Sequence, residues 1–313
     1  MEKKKILITG AAGYIGSMLT TKLVELGYNI LAIDILKYDD NSLSHLFYFK
    51  NFNFIKADIT KKNVIKKIIK NCEYIIPLAG LVGAPLCNKY KKEAINVNLK
   101  SIEVLLKYKK KNQKIIYPTT NSGYGIGEKN KFCNESSILK PLSLYGLTKA
   151  AAEKRILENK NVITFRLATV FGYSYRMRTD LMVNNFVENA VKTKNLRIFE
   201  PHFRRNFIHI RDVVSAFVFA IKNFNKLKGE TYNLGLSSAN ITKLELAKQI
   251  KKEIKNVNIK ILKNRKDPDK RDYFVSNKKI EKKGFKAKIN LKEGIQELIQ
   301  LFLITKKNFK NNY

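Results

Sequence analysis

The chain has little of what builds a metal site, a disulfide framework or a membrane anchor. Its three cysteines, Cys72, Cys87 and Cys133, are widely spaced among 313 residues and form no C-x-x-C pair. A disulfide framework and a cysteine-based zinc site are therefore excluded. The three histidines, His45, His202 and His209, are too scattered for a metal site. The longest uncharged apolar run, 213–221, falls well short of the ~20 residues that a bilayer span requires. At the N-terminus a lysine-rich start leads into Ile6-Leu7-Ile8, but the apolar run stops at Thr9-Gly10, too soon for a signal peptide. A soluble cytoplasmic protein without a membrane partner is expected.

Acidic residues are also scarce: 26 Asp and Glu stand against 61 Lys and Arg, for a formal net charge of +35. Only ten of the basic residues are Arg, and Lys is spread along the chain. Nucleic-acid binders favour Arg and cluster their charge. Here the densest stretch, 278–292, alternates with Ile280, Phe285 and Ile289, as a solvated surface does. No nucleic-acid partner is expected; a charge of this kind bears on solubility and on drawing in an anionic ligand.

What is present is a globular composition, 44% hydrophobic with 18 Phe and 15 Tyr, enough for a buried core. The length allows one large domain or two fused lobes. Short apolar runs at 5–8, 29–33, 52–56, 74–78, 114–117 and 162–167 read as strands. Helix-like stretches at 16–26, 61–70, 93–109 and 147–158 alternate with them, which predicts a parallel sheet covered on both faces. Beyond Arg166 the alternation weakens. A helix is expected over 213–221 and a late strand over 231–234. Thr242-x-x-Glu245 and Asn290-x-x-Glu293 are capping-box spacings, predicting helices at 244–254 and 291–304. The predicted class is α/β: a Rossmann-type doubly wound parallel sheet with a smaller C-terminal α/β substrate lobe. The sheet domain is assigned to 1–170, with 207–235 returning to it, and the substrate lobe to 171–206 and 236–313.

Between the first strand and first helix stands Thr9-Gly10-Ala11-Ala12-Gly13-Tyr14-Ile15-Gly16. Glycines at 10, 13 and 16 permit a tight turn that brings backbone N–H groups to a pyrophosphate at a helix N-terminus. Asp34, eighteen residues past Gly16, closes the second strand. A carboxylate there accepts from ribose hydroxyls and repels a 2′-phosphate, which favours NAD over NADP. Further on, Tyr145 and Lys149 are four apart, on one helical face. A tyrosine base near neutral pH must lose about three pKa units from ~10, roughly 4 kcal/mol, and an ammonium one turn away helps supply that. The lysine can also hold the nicotinamide ribose.

This glycine spacing, followed about 130 residues later by Tyr-x-x-x-Lys, resembles the short-chain dehydrogenase/reductase superfamily. The resemblance is closest to its extended, nucleotide-sugar-modifying branch, the NAD-dependent epimerase/dehydratase family. In Thr119-Thr120-Asn121-Ser122-Gly123-Tyr124-Gly125 the family's serine or threonine before Tyr-Gly is Thr120. The resemblance implies that Thr120 hydrogen-bonds the substrate hydroxyl being oxidised and passes its proton to Tyr145. It further implies that Tyr14, Ile15, Asp58, Ile59, Leu78, Ala79, Gly80 and Asn98 flank the cofactor. Arg205, in Arg205-Asn206-Phe207-Ile208-His209, and Arg271 match phosphate-binding arginines, for which bidentate pairing explains the residue type. Asn184 is assigned to the substrate by the same resemblance. Sugar 4,6-dehydratases of this branch carry Asp-Glu after the catalytic threonine. Here Asn121 and Ser122 stand there as substrate contacts, and neither is an acid or base at neutral pH. The family's R-x-x-N appears as Arg166-Leu167-Ala168-Thr169, with Thr in place of Asn.

The segments 77–87, 120–128, 176–181, 235–240 and 267–273 are similar to those of GDP-D-glycero-D-manno-heptose C4 dehydrogenases. That narrower likeness implies NAD-dependent oxidation of C4 to a released ketone, with Arg176 and Arg178 as substrate contacts. A 4-epimerase that oxidises C4 transiently is the alternative. A non-catalytic NAD-binding relative would be expected to lack Tyr145 or Lys149, and both are present. Relatives pair through their fourth and fifth helices, so a homodimer through 93–109 and 147–158 is expected.

Overall fold

The computed structural model describes residues 4–38, 40–128, 131–262, 271–305, 309 and 311–312. Seven strands form the central sheet: β1 (Lys5–Thr9), β2 (Asn29–Asp34), β3 (Phe52–Lys56), β4 (Tyr74–Pro77), β5 (Lys114–Thr120), β6 (Val162–Leu167) and β7 (Glu230–Leu234). Their order is β7-β6-β5-β4-β1-β2-β3, and every pairing is parallel. The C-terminal ends of all seven therefore share one edge. The order reverses direction at β1 and β4, where a crevice opens for a ligand.

The principal helices are α1 (Tyr14–Glu25), α2 (Lys62–Ile68), α3 (residues 91–108), α4 (Leu144–Leu157), α5 (Met182–Thr193), α6 (Ile210–Lys222), α7 (Lys243–Glu253) and α8 (Leu291–Ile304). Strand alternation divides the core. Leu7 of β1 faces a cluster with Ile65, Ile102, Leu105, Ala152 and Ile156, from α2, α3 and α4. Ile6 and Ile8 face the other way, into a cluster containing Leu19 of α1 and Phe217 of α6. That second cluster runs without a break into Val183, Leu246 and Leu298 of α5, α7 and α8, so the C-terminal elements share one continuous core with the sheet domain. They carry a three-stranded sheet of Thr169–Phe171, Arg204–His209 and Asn240–Thr242. Both capping boxes form as their spacing predicts, opening α7 and α8. In the lysine-rich stretch Ile280 and Phe285 are buried while Lys278, Lys282, Lys283, Lys286, Lys288 and Lys292 are exposed. No helix among the described residues is long and apolar enough to cross a membrane.

Three departures from the sequence reading matter to the site. Strand β5 continues three residues past Tyr117, because Thr120 still pairs with Leu167 of β6. Helix α4 begins at Leu144 rather than 147, because Ser143 caps it by accepting from the Gly146 N–H at 3.2 Å. Thr120 therefore ends a strand and Tyr145 occupies the first turn of a helix. Third, α3 is not uniform: helical turns Lys91–Ile95 and Ser101–Tyr108 flank a π-helical turn, Asn96–Lys100.

Helix α4 is tied to the sheet by a buried ion pair. Arg166 of β6 donates to both carboxylate oxygens of Glu153, with Nη2 to Oε1 at 2.6 Å and Nε to Oε2 at 3.3 Å. Its remaining nitrogen donates to the Tyr124 hydroxyl at 3.0 Å and the Glu135 carbonyl at 3.2 Å. Removing one partner of such a pair strands a buried charge. Glu153→Ala is expected to lower the unfolding free energy by about 3–5 kcal/mol. Urea denaturation measures this, and an unchanged midpoint would refute the assigned role.

Candidate active site

A cavity of about 530 Å³ opens along the C-terminal edge of the sheet, between it and the C-terminal elements. At one end lies the glycine turn. Gly10 takes a φ of +71°, and a Cβ there would stand 2.5 Å from the Ala79 nitrogen. A Cβ on Gly16 would meet the Gly10 carbonyl oxygen at 2.0 Å, so only glycine lets α1 start this close to β1. Gly13 caps α1 without a side chain, and Gly13, Tyr14, Ile15 and Gly16 line the cavity, leaving a helix N-terminus open to an anion.

Asp34 also lines the cavity, its carboxylate accepting from the Ala12 N–H at 3.0 Å and the Leu36 N–H at 2.9 Å. Burial pushes its pKa up, while those backbone donors and Arg176 pull it back. Asp58, Ile59, Leu78, Ala79 and Gly80 also line the cavity. A tight glycine turn, an uncapped helix start and a half-buried carboxylate at the end of β2 together fit a dinucleotide with an unphosphorylated ribose.

Asn98 differs from expectation. It does not line the cavity. From the π-helical turn its amide accepts from the Leu81 N–H at 2.8 Å and donates to the Leu81 carbonyl at 2.9 Å and to Thr148 at 3.3 Å. It positions the loop after β4 against α4. Asn184 is likewise withdrawn: it accepts from the Gly172 N–H at 3.0 Å and donates to the Arg178 carbonyl at 2.8 Å and the Tyr14 hydroxyl at 3.3 Å. Asn121 is buried outside the lining, whereas its neighbour Ser122 faces in.

The reacting end is built where β5 meets α4. Thr120 and Tyr145 both line the cavity here. The Thr120 hydroxyl meets that of Ser122 at 2.8 Å, and Arg271 donates to Ser122 in turn. Desolvation pushes the Tyr145 phenol up to about 12, and the groups that pull it back are Arg271, Thr120 and Arg178. Lys149, only 7% exposed, has its Nζ 3.9 Å from the centroid of the Tyr117 ring. Burial lowers it from 10.5 to about 7, against the opposing pull of Glu153 and Cys87. In the chain alone, then, the cations that favour a Tyr145 phenolate are guanidinium groups, where the sequence pointed to the lysine.

Arg178, Arg205 and Arg271 line the cavity near this end. Arg178 pairs with Asp180, its Nε donating to Oδ1 at 3.0 Å. Arg205 donates to the carbonyls of Arg204 and Arg271. Asp267, Pro268, Asp269 and Lys270, part of the narrower resemblance, lie outside the described residues. Several lining residues carried no signal in the sequence. Lys243, the first residue of α7, donates to the Phe199 carbonyl at 3.1 Å and stands over the Phe199 ring at 4.7 Å. Asn185 and Tyr38 join it in the lining. They come from loops and helix ends that only folding brings together, so no spacing marks them.

Lys149 has a measurable thermodynamic consequence. Between pH about 7 and about 10 the unfolded chain holds a proton on this lysine that the folded chain has lost, so its contribution to stability rises with pH. Relative to Lys149→Met, the wild type is expected to gain up to about 1.4 kcal/mol per pH unit in that window. Urea midpoints of both proteins at about pH 6 and about pH 9 check this, and a pH-independent difference would contradict it.

The sequence model of the NAD dependent epimerase/dehydratase family matches residues 6–235. The chain is 28% identical to the dTDP-D-glucose 4,6-dehydratase of Bos taurus, covering 98% of this chain and 91% of the relative. It is also 28% identical to the CDP-paratose 2-epimerase of Salmonella typhi, covering 94% and 98%. Among solved structures, UDP-glucose 4-epimerase of Thermotoga maritima with UDP-glucose matches with a TM-score of 0.81 at 25% identity, over 96% of this chain and 98% of that one. UDP-glucuronic acid 4-epimerase of Bacillus cereus, in complex with UDP-glucuronic acid and NAD, matches in fold with a TM-score of 0.83 at 24% identity, over 96% and 99%. With a family model spanning most of the chain, and a glycine turn and carboxylate that fit the cofactor, this chain belongs to the NAD-dependent epimerase/dehydratase family and is an NAD-dependent enzyme of that kind.

Proposed function

We propose that the protein oxidises the C4 hydroxyl of a nucleotide sugar to a ketone, with a GDP-linked, heptose-like sugar as substrate, in the synthesis of a capsule or surface polysaccharide sugar. The observation that carries this reading is the convergence of Thr120, Tyr145 and buried Lys149 in one cavity with Arg178, Arg205 and Arg271. NAD, when bound, supplies the two-electron oxidant. The chain's own residues handle the proton. Thr120 holds the C4 hydroxyl and passes its proton to the Tyr145 phenolate. Arg205 and Arg271 pair with the substrate's diphosphate, for which a guanidinium fork is the fitting partner. Neither Asn121 nor Ser122 offers an acid or a base, so the ketone is not carried on to dehydration.

A nucleotide-sugar 4-epimerase is the second reading, favoured by the likeness to UDP-glucose 4-epimerase. It uses the same groups and returns the ketone to an alcohol before release. A homodimer through α3 and α4 accompanies either reading, supported by the exposed Leu147 on α4.

Purified protein incubated with NAD and a panel including GDP-heptose, GDP-mannose and UDP-glucose separates the readings by product mass. Loss of two hydrogens with matching NADH supports the dehydrogenase; an unchanged mass with an altered sugar NMR spectrum supports the epimerase and overturns C4 oxidation with release. Tyr145→Phe is expected to lower kcat by at least about 10²–10⁴-fold while NAD still binds. Full turnover in that variant would rule out the mechanism.

A further inference from the structure

Two arginines two residues apart line the cavity with different neighbours. Arg178 pairs with Asp180, and its charge reaches Tyr145 as well as Tyr38 and Tyr14. Arg176 stands against the segment after β2. Its guanidinium carbon lies 4.8 Å from the centroid of the Tyr38 ring, in the segment that follows β2. Its charge acts on Asp34, the carboxylate that closes β2. It is 2% exposed, and it lines the cavity alongside the glycine turn.

The backbone around Arg176 is sewn to the start of α1. The Arg176 N–H donates to Ser17 Oγ at 3.3 Å. The hydroxyls of Ser17 and Ser174 meet at 3.0 Å, and Ser174 donates to the Tyr14 carbonyl at 2.7 Å. The Tyr14 hydroxyl donates to the Gly172 carbonyl at 2.7 Å. Segment 172–176 thus crosses the first turn of α1, whose open N-terminus is the anion-binding feature of this fold. A dinucleotide placed there sets its diphosphate and the Asp34 carboxylate near each other, two negative charges in a poorly solvated cleft. A buried guanidinium between them offsets that repulsion and donates to phosphate oxygens.

We propose that Arg176 is a cofactor-anchoring residue that binds the anionic adenosine-diphosphate half of NAD, instead of the nucleotide-sugar contact its sequence motif implies. The assignment rests on the NAD site and not on C4 oxidation. Segment 172–176 carries Arg176 to this place through its bonds to Tyr14 and Ser17.

Isothermal titration of the purified protein with NAD, and separately with GDP or UDP, whichever binds the wild type, tests this without turnover. Arg176→Ala is expected to weaken NAD binding about tenfold to a hundredfold, as loss of a charged hydrogen-bond donor does, and to leave the nucleoside diphosphate within about twofold. Arg205→Ala is expected to show the reverse pattern. Arg176→Gln keeps most of the side-chain volume and is measured alongside, so that a folding defect in the smaller variant does not decide the matter. NAD affinity unchanged in Arg176→Gln overturns the proposal. So does a loss confined to the nucleoside diphosphate, or one shared equally by both ligands. Because the readout is binding, failure of the C4 chemistry leaves this result unaffected.

Discussion

The buried pair of Glu153 and Arg166 is the constraint on which the site's geometry depends. Tyr145, Lys149 and Glu153 recur every four residues along α4, so all three share the face turned to the sheet. Glu153 at the inner end locks that face to β6, its two oxygens engaged by one guanidinium. The same guanidinium reaches Tyr124 and Glu135, so strand, helix and the loop after β5 meet at one buried charge. With the helix held in register, its first turn delivers Tyr145 to the last residue of β5. The charge does a second task, since Glu153 favours the protonated form of Lys149 one turn away.

Electrostatics at the reacting end is a contest between burial and guanidinium groups. Desolvation drives Tyr145 up and Lys149 down, and in the chain alone the balance keeps the phenol protonated while it costs the lysine much of its charge. The charges of Arg271 and Arg178 work against the first of these, and Arg271 also holds Ser122, which meets the Thr120 hydroxyl. The distribution of basic residues follows the same logic. Of the ten arginines, Arg176, Arg178, Arg197, Arg205 and Arg271 line the cavity, whereas Lys37, Lys149 and Lys243 are the lysines there among the described residues. Arginine is concentrated where a planar donor fork has an anion to meet; lysine, far more abundant, covers the surface.

Much of this was legible before folding, for reasons specific to each element. The glycine turn could be read because its steric demand is local: Gly10 and Gly16 must lack a Cβ whatever surrounds them. Tyr145 and Lys149 could be read because helical spacing places them on one face. Capping boxes were legible because both partners lie within four residues. The start of α4 was missed by three residues, since Ser143 caps through a single hydroxyl without the acid that marks a box. The bonds of Asn98 to Leu81 and Thr148 could not be read, because they join a π-helical turn, which no composition announces, to a distant loop and helix.

The sequence by itself determined the strand–helix alternation, the glycine turn and the shared face of Tyr145 and Lys149, since each rests on spacing within a strand–turn–helix unit or one helical face. Only the tertiary structure decided what surrounds each arginine of the cavity. Arg176 and Arg178 differ by two positions, and nothing in their immediate neighbours separates them. Segment 172–176 is held against the first turn of α1 by hydrogen bonds to Ser17 and Tyr14, more than 150 residues earlier in the chain. Such long-range hydrogen bonds form only once the C-terminal elements have packed against the sheet domain.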